Sequence, residues 1–527
     1  MNQKVTLAGV LAALAAGVVF LPLLPGLAIM ASPLRDGEIW LQVLQDGQFP
    51  LALQSTVVSA LISVCGALAL TVLIICGLWP GPRWQSYVRR LPLLLAFPHV
   101  AFASGLLFLF SANGWLSRLL HVAFPVDGAG LGLGLMLALK EAWFLLWFAS
   151  TQLSRSELEQ QLIVSRSMGY GPLHCRLLVI IPQLLPRLGW ALVAVMAYSL
   201  SVVDVAIILG PDNPPTLAVL AWQWMNDGDP QRQAMGMALS ALLAVLLAGF
   251  STGGWLLWQG SRRRLGQFSG RRRQADARLF SSALASGLTA IGMAAGAILL
   301  CWSLAESWFY PSLLPEAFSL SGWDLARYDT LLTTLWLALA SGPIAALCVL
   351  LWLEGIPRRF DVLLLLPLVL PALPLAAGQY QVLLRLAGEG TWPAVVWSHL
   401  LWVIPYALLV LRPAWQQLDP RHAVAARTLG RSGWLVLWTI KTPLLLRPLL
   451  GALAVGFSVS VAQYLPTLYA GAGRFATVTT EAVALSSGGD PQQMAIQALL
   501  QVLLPAGMFI FTLQAARLAG HYRQGLR

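Results

Sequence analysis

Apolar residues dominate this chain in long uninterrupted runs, and polar residues are confined to short segments between them. Twelve such runs stand out, at roughly 6–31, 53–78, 91–111, 131–152, 188–210, 235–258, 281–305, 331–353, 362–386, 393–411, 444–470 and 494–516. A helix needs about 20 apolar residues to cross a bilayer, and each run is near that length. Segments this long satisfy their backbone groups as helices rather than as barrel strands. The pattern predicts an all-α polytopic membrane protein with twelve transmembrane helices.

Composition agrees: 58% of the 527 residues are hydrophobic and 10% are charged, where soluble domains carry about 25% charged residues. The net charge of +11 invites a nucleic-acid partner, but its distribution argues against one. With the N-terminus placed in the cytoplasm, the loops and tails on that side hold most of the Lys and Arg, and the opposite loops are acidic. Cytoplasmic excess of basic residues is the positive-inside pattern, so both termini are expected in the cytoplasm. The first run is longer than the apolar core of a signal peptide and is expected to be a retained span. The five cysteines, Cys65, Cys76, Cys175, Cys301 and Cys348, suggest no disulfide framework. A basic linker over 261–278, with seven arginines, divides a first half (1–260) from a second (279–527). It could bind anionic lipid headgroups, but a topogenic joint between the halves is the favoured reading.

The halves are copies. Thr56, Ala60 and Ser63 recur as Thr334, Ala338 and Ser341; Pro98 and Gly105 recur as Pro371 and Gly378; Gly228-Asp-Pro-Gln231 recurs as Gly489-Asp-Pro-Gln492. Ordered repetition of this kind marks an internal duplication. Six spans per copy give both copies the same orientation, so they are parallel rather than inverted repeats. The clearest shared segment lies in a polar loop: Ile163-Val-Ser-Arg-Ser-Met-Gly169 followed by Pro182, and Val424-Ala-Ala-Arg-Thr-Leu-Gly430 followed by Pro443. Helical spacing before each glycine, conformational freedom at the glycine and apolar helix after it predict a helical elbow on the membrane surface.

The Gly-x12-Pro spacing after a small-residue helix resembles the EAA loop of binding-protein-dependent ABC importer permeases, which have the type I fold. The resemblance covers the whole chain, as in fused permeases similar to the thiamine and ferric-iron importers. It implies that each elbow is a coupling helix seated on an ATP-binding subunit, with Val164, Ser165, Gly169 and Pro182 in the first and Ala425, Ala426, Gly430 and Pro443 in the second. The second copy fits better, with alanine in both alanine positions, and both copies lack the family's glutamate, replaced by Ile163 and Val424. The implied partners are two copies of a cytoplasmic ATP-binding subunit and a periplasmic solute-binding protein. No phosphate-binding Gly-x4-Gly-Lys-Ser/Thr loop occurs around the three lysines, Lys4, Lys140 and Lys441, so ATP chemistry is expected in the partner and no cofactor in this chain.

Ionisable and polar groups inside the runs are costly and are the candidates for a pathway or gate: Lys140, Glu141, Asp204, His399 and Gln463. The same groups also suit interhelical hydrogen bonds that fix packing, and the sequence leaves both readings open. No cluster has metal-ligand spacing and none unites a nucleophile with a base, so neither a metal site nor an enzyme is expected. Asp229 and Asp490 are expected to cap the helices that start at Pro230 and Pro491. An ion-coupled twelve-helix carrier shares the parallel six-plus-six plan and is the competing reading, although the loop from Trp79 to Arg90 lacks the acid such carriers place there. Thiamine, ferric iron, sulfate and polyamines are the cargoes the resemblance suggests.

Overall fold

The computed structural model describes residues 7–122, 124, 128–153, 156–211, 213–262, 275–324 and 328–524. Most of the basic linker, and with it the expected lipid contact, lies outside the described residues. Ten helices are long and apolar enough to cross a membrane, and two bent pairs bring the total to twelve. We label the crossing helices of the first half α1 (Leu7–Phe20), α2 (Phe49–Leu78), α3 (His99–Phe110), α4 (Leu131–Leu153), α5 (Ile181–Ser201) and α6 (Pro230–Ser261). Those of the second half are α7 (Arg278–Leu304), α8 (Tyr328–Gly355), α9 (Ala372–Leu386), α10 (Trp392–Gln416), α11 (Leu446–Val461) and α12 (Pro491–Gln524). The only strands among the described residues are a two-stranded antiparallel ribbon, Ala305–Ser307 with Ala317–Phe318.

Four of the predicted runs are broken rather than continuous. The run 91–111 is interrupted at Pro98, which precedes α3, and the run 362–386 at Pro371, which precedes α9; the second break bends the chain by 96°. Proline fixes φ, has no N–H to donate and pushes the residue before it out of the helical region. The runs 188–210 and 444–470 stop at Ser201 and Val461 and restart as short helices, Asp204–Leu209 and Leu465–Gly471. The α5 helix also begins earlier than the apolar run, at Ile181, with Pro182 in its first turn. Hydropathy runs straight through these breaks because they are buried in protein, where irregular backbone is tolerated.

Repetition is visible in local geometry. Arg176–Ile180 and Leu437–Lys441 are π-helical turns, and Leu217–Met225 and Val478–Ser486 are short helices; both pairs are displaced by 261 residues. Asp229 accepts from Gln231 N at 2.9 Å and Asp490 from Gln492 N at 2.8 Å, so the repeated Gly-Asp-Pro-Gln caps α6 and α12.

The first helix of each half packs on the other half. Ala8, Ala12 and Val19 of α1 and Leu23 just beyond it share a core with Val349, Leu401 and other second-half residues, and Trp397 Nε1 donates to Val18 O at 2.9 Å. Close approach depends on glycine: a Cβ at Gly355 would collide with the backbone of Gly9, and one at Gly26 with the backbone of Gly378. Reciprocally, Ala285, Leu288 and Ala295 of α7 belong to the first-half core, and Ser281 Oγ donates to Leu73 O at 2.6 Å. Gly355→Leu should therefore destabilise the protein by about 1–3 kcal/mol through overpacking, read as a lower thermal midpoint in detergent. Gly287→Leu, with nothing within 4 Å of the place a Cβ would occupy, should leave the midpoint much less changed.

Candidate functional site

Each elbow is a helix, a glycine turn and a second helix that leads through the π-helical turn toward the membrane. The first helices are Ser156–Ser167 and Pro420–Thr428. They end where Gly169 and Gly430 adopt φ of +87° and +80°, a left-handed conformation that glycine reaches without steric cost. Gly169 N donates to Arg166 O at 2.9 Å and Gly430 N to Arg427 O at 3.0 Å, closing equivalent turns. Pro182 and Pro443 each lie in the first turn of the helix that follows the π-helical segment.

The paired small positions are not alike. Ser165 and Ala426 are both 5% exposed, while Val164 is 60% exposed and Ala425 also faces outward. Only the inner position packs against the body, so only there does size matter, and serine serves because its Oγ donates to Leu162 O at 2.9 Å. The outward faces carry large apolar side chains at equivalent places: Ile163 with Val424, and Met168 with Leu429.

Charges fasten the elbows to the second helix of each half. In the first, Arg176 Nη1 donates to Cys76 O at 2.7 Å. In the second, Glu354 at the end of α8 binds Lys441 through Oε2 and lies 3.9 Å from Arg427 through Oε1; Lys441 Nζ also sits 4.8 Å from the centre of the Trp415 ring. Nothing in the sequence singles out Glu354, one acid in a short polar loop, because its partners lie in a distant segment.

The candidate intramembrane groups separate into two kinds. Lys140 and Glu141, adjacent on α4, turn to different partners. Lys140 Nζ donates to the carbonyls of Leu94 and Leu95 at 3.1 and 3.3 Å, whereas Glu141 Oε1 lies 3.0 Å from Nε2 of His99. His99 retains 32% side-chain exposure and its ring lies 4.7 Å from that of Tyr198. Asp204 opens the short helix after α5 and is half-buried, as is Gln463 in the corresponding break after α11. His399 is, like the buried Lys140, of the other kind. It is fully buried, and its two ring nitrogens lie 2.8 Å from Ser460 Oγ and 2.9 Å from Thr467 Oγ1, tying α10 to α11 and to Leu465–Gly471.

Comparison with known proteins adds to this geometry. Residues 320–518 match the family described as binding-protein-dependent transport system inner membrane component, a stretch that includes the second elbow. The inner membrane ABC transporter permease protein YnjC of Escherichia coli (strain K12) is 46% identical over 511 residues, spanning 97% of this chain and 96% of that protein. The chain belongs to the ABC transporter permeases. The permease has the type I fold and is a multi-pass inner-membrane protein. It is also 26% identical, over 77% of each chain, to the thiamine transport system permease protein ThiP of the same organism. A shorter stretch is 30% identical to the molybdenum transport system permease protein ModB of Haemophilus influenzae, over 20% of this permease and 51% of that one. These matches favour the ABC permease family over the ion-coupled carrier.

His399→Ala in the permease should remove a buried tie and leave Ser460 without its partner, a loss of about 1–3 kcal/mol. Thermal unfolding in detergent should show a clearly lower midpoint, and an unchanged midpoint would remove His399 from the structural role.

Proposed function

We propose that this permease is the complete membrane body of an ABC importer, one chain supplying both halves, driven by two copies of a cytoplasmic ATP-binding subunit. The observation that carries the reading is the doubled elbow, with equivalent outward apolar pairs, Ile163 and Met168 in one and Val424 and Leu429 in the other. Exposed apolar side chains rimmed by polar residues mark contact surfaces, and here they recur with the duplication, as two copies of one partner require. The elbow face is then cytoplasmic, in keeping with the arginine-rich linker and basic tails. The opposite face receives cargo from a periplasmic solute-binding protein.

Closure of the ATP-binding subunits would draw the two elbows together and switch the passage between the halves from inward-facing to outward-facing. His99, held by Glu141, would line or gate that passage together with Asp204 and Gln463, because these three keep solvent-accessible surface within the apolar body while Glu141 is buried beside His99. Lys140 and His399 act in packing. Cargo belongs to the small solutes of such importers, the thiamine, ferric-iron, sulfate or polyamine class, with selection largely made by the binding protein.

The test is capture of the ATP-binding subunit by the tagged full chain. Ile163→Asp and Val424→Asp should each weaken capture about tenfold or more, as expected for an apolar residue central to an interface. Gly430→Pro should leave the complex assembled but uncouple hydrolysis from transport, because proline holds φ near −65° and this turn needs +80°. A well-folded chain that captures no ATP-binding subunit would refute the proposal.

A further inference from the structure

The second helix of each half is fastened at both ends, at equivalent positions along the helix. At the elbow end of α2, Cys76 O accepts from Arg176 at 2.7 Å; at the elbow end of α8, Glu354 binds Lys441 and Arg427. Toward the other end, Thr56 Oγ1 accepts from Leu217 N at 2.7 Å, and Thr334 Oγ1 accepts from Val478 N at 3.0 Å. Leu217 and Val478 are the first residues of the two equivalent short helices, and their N–H groups have no intrahelical acceptor. In both copies the two fastening points are 20 residues apart, about 30 Å along a helix, which is the thickness of the bilayer's hydrocarbon core.

The second of these connections reaches the boundary between halves. Val478–Ser486 packs on α3 and on Asp204–Leu209 of the first half, and its Ala482 and Val483 are buried in the first-half core. The second elbow is thus joined through α8, a single helix with Pro343 inside it, to a short helix lying across the junction of the halves.

We propose that α2 and α8 are rods that transmit elbow movement to the short helices at the opposite membrane face, and that Glu354 is the positioning residue that fastens the second rod. The inference rests on the importer reading above. The two connections differ in a way that makes the idea testable. The first ends on a backbone carbonyl that side-chain substitution cannot remove, whereas the second ends on a carboxylate.

Spin labels on Asn226→Cys and Ser487→Cys, at the ends of the short helices, report the separation of the two sides once the five native cysteines are replaced. The sample is the full chain assembled with its ATP-binding subunits in nanodiscs. In the parent complex, ATP and Mg²⁺ should populate a wider label distance. Glu354→Gln should continue to hydrolyse ATP while the widened population falls about tenfold, within the usual range of coupling factors. Thr334→Val should give the same loss from the other end, and Lys441→Arg, which keeps a cation against Glu354, should retain the response. Widening in Glu354→Gln equal to that of the parent overturns the rod while leaving the importer reading intact, as does widening in Thr334→Val equal to that of the parent. A parent chain that binds no ATP-binding subunit overturns both.

Discussion

A helix that starts inside a membrane leaves backbone N–H groups without intrahelical acceptors, and the architecture of this permease depends on how four of them are satisfied. Thr56 and Thr334 accept from the first residues of the short helices within their own halves. Ser201 and Gln501 do the same across halves: Ala372 N donates to Ser201 Oγ at 2.9 Å and Ala101 N to Gln501 Oε1 at 3.0 Å. An unsatisfied buried amide costs several kcal/mol in hydrocarbon, so these side chains are what permits spans to break. Broken spans in turn leave Asp204 and Gln463 half-buried within the apolar body.

The two cross-half bonds work together with the exchange of first helices. Because α1 is part of the second-half core and α7 part of the first, neither half is a closed unit without the other. The halves are held at their rims by α1 and α7, and at the junction by Ser201 and Gln501. The duplication is not perfectly symmetric: an arginine on a carbonyl fastens one elbow, and a carboxylate with two cations fastens the other. A partly buried ion pair needs both charges, so the second elbow is the more sensitive of the two to single substitutions.

Much of the plan is legible in the amino-acid order, for physical reasons. Length and apolarity report lipid exposure, so the twelve runs can be read directly; proline and glycine report local backbone geometry, which exposes the elbow turns and the caps at Asp229 and Asp490. The breaks at Ser201 and Val461 are hidden, because hydropathy carries no information about direction. Repetition points to Thr56 and Thr334 but not to their role, which depends on a backbone donor more than 140 residues away. His399 and Lys140 look alike in sequence to groups lining a passage, and only their partners set them apart. Glu354 is invisible, since one acid in a polar loop is ordinary until Lys441 is brought to it. The exchange of first helices has no local signature, as Gly9 and Gly26 are ordinary small residues in an apolar stretch.

Whether one chain supplies two equivalent docking elements for an ATP-driven partner is decided by native mass spectrometry of the complex isolated through a tag on this chain. The expected species contains one copy of the 56.9 kDa chain and two copies of an ATP-binding subunit. A complex with a single ATP-binding subunit, or two copies of this chain sharing one pair, would refute it.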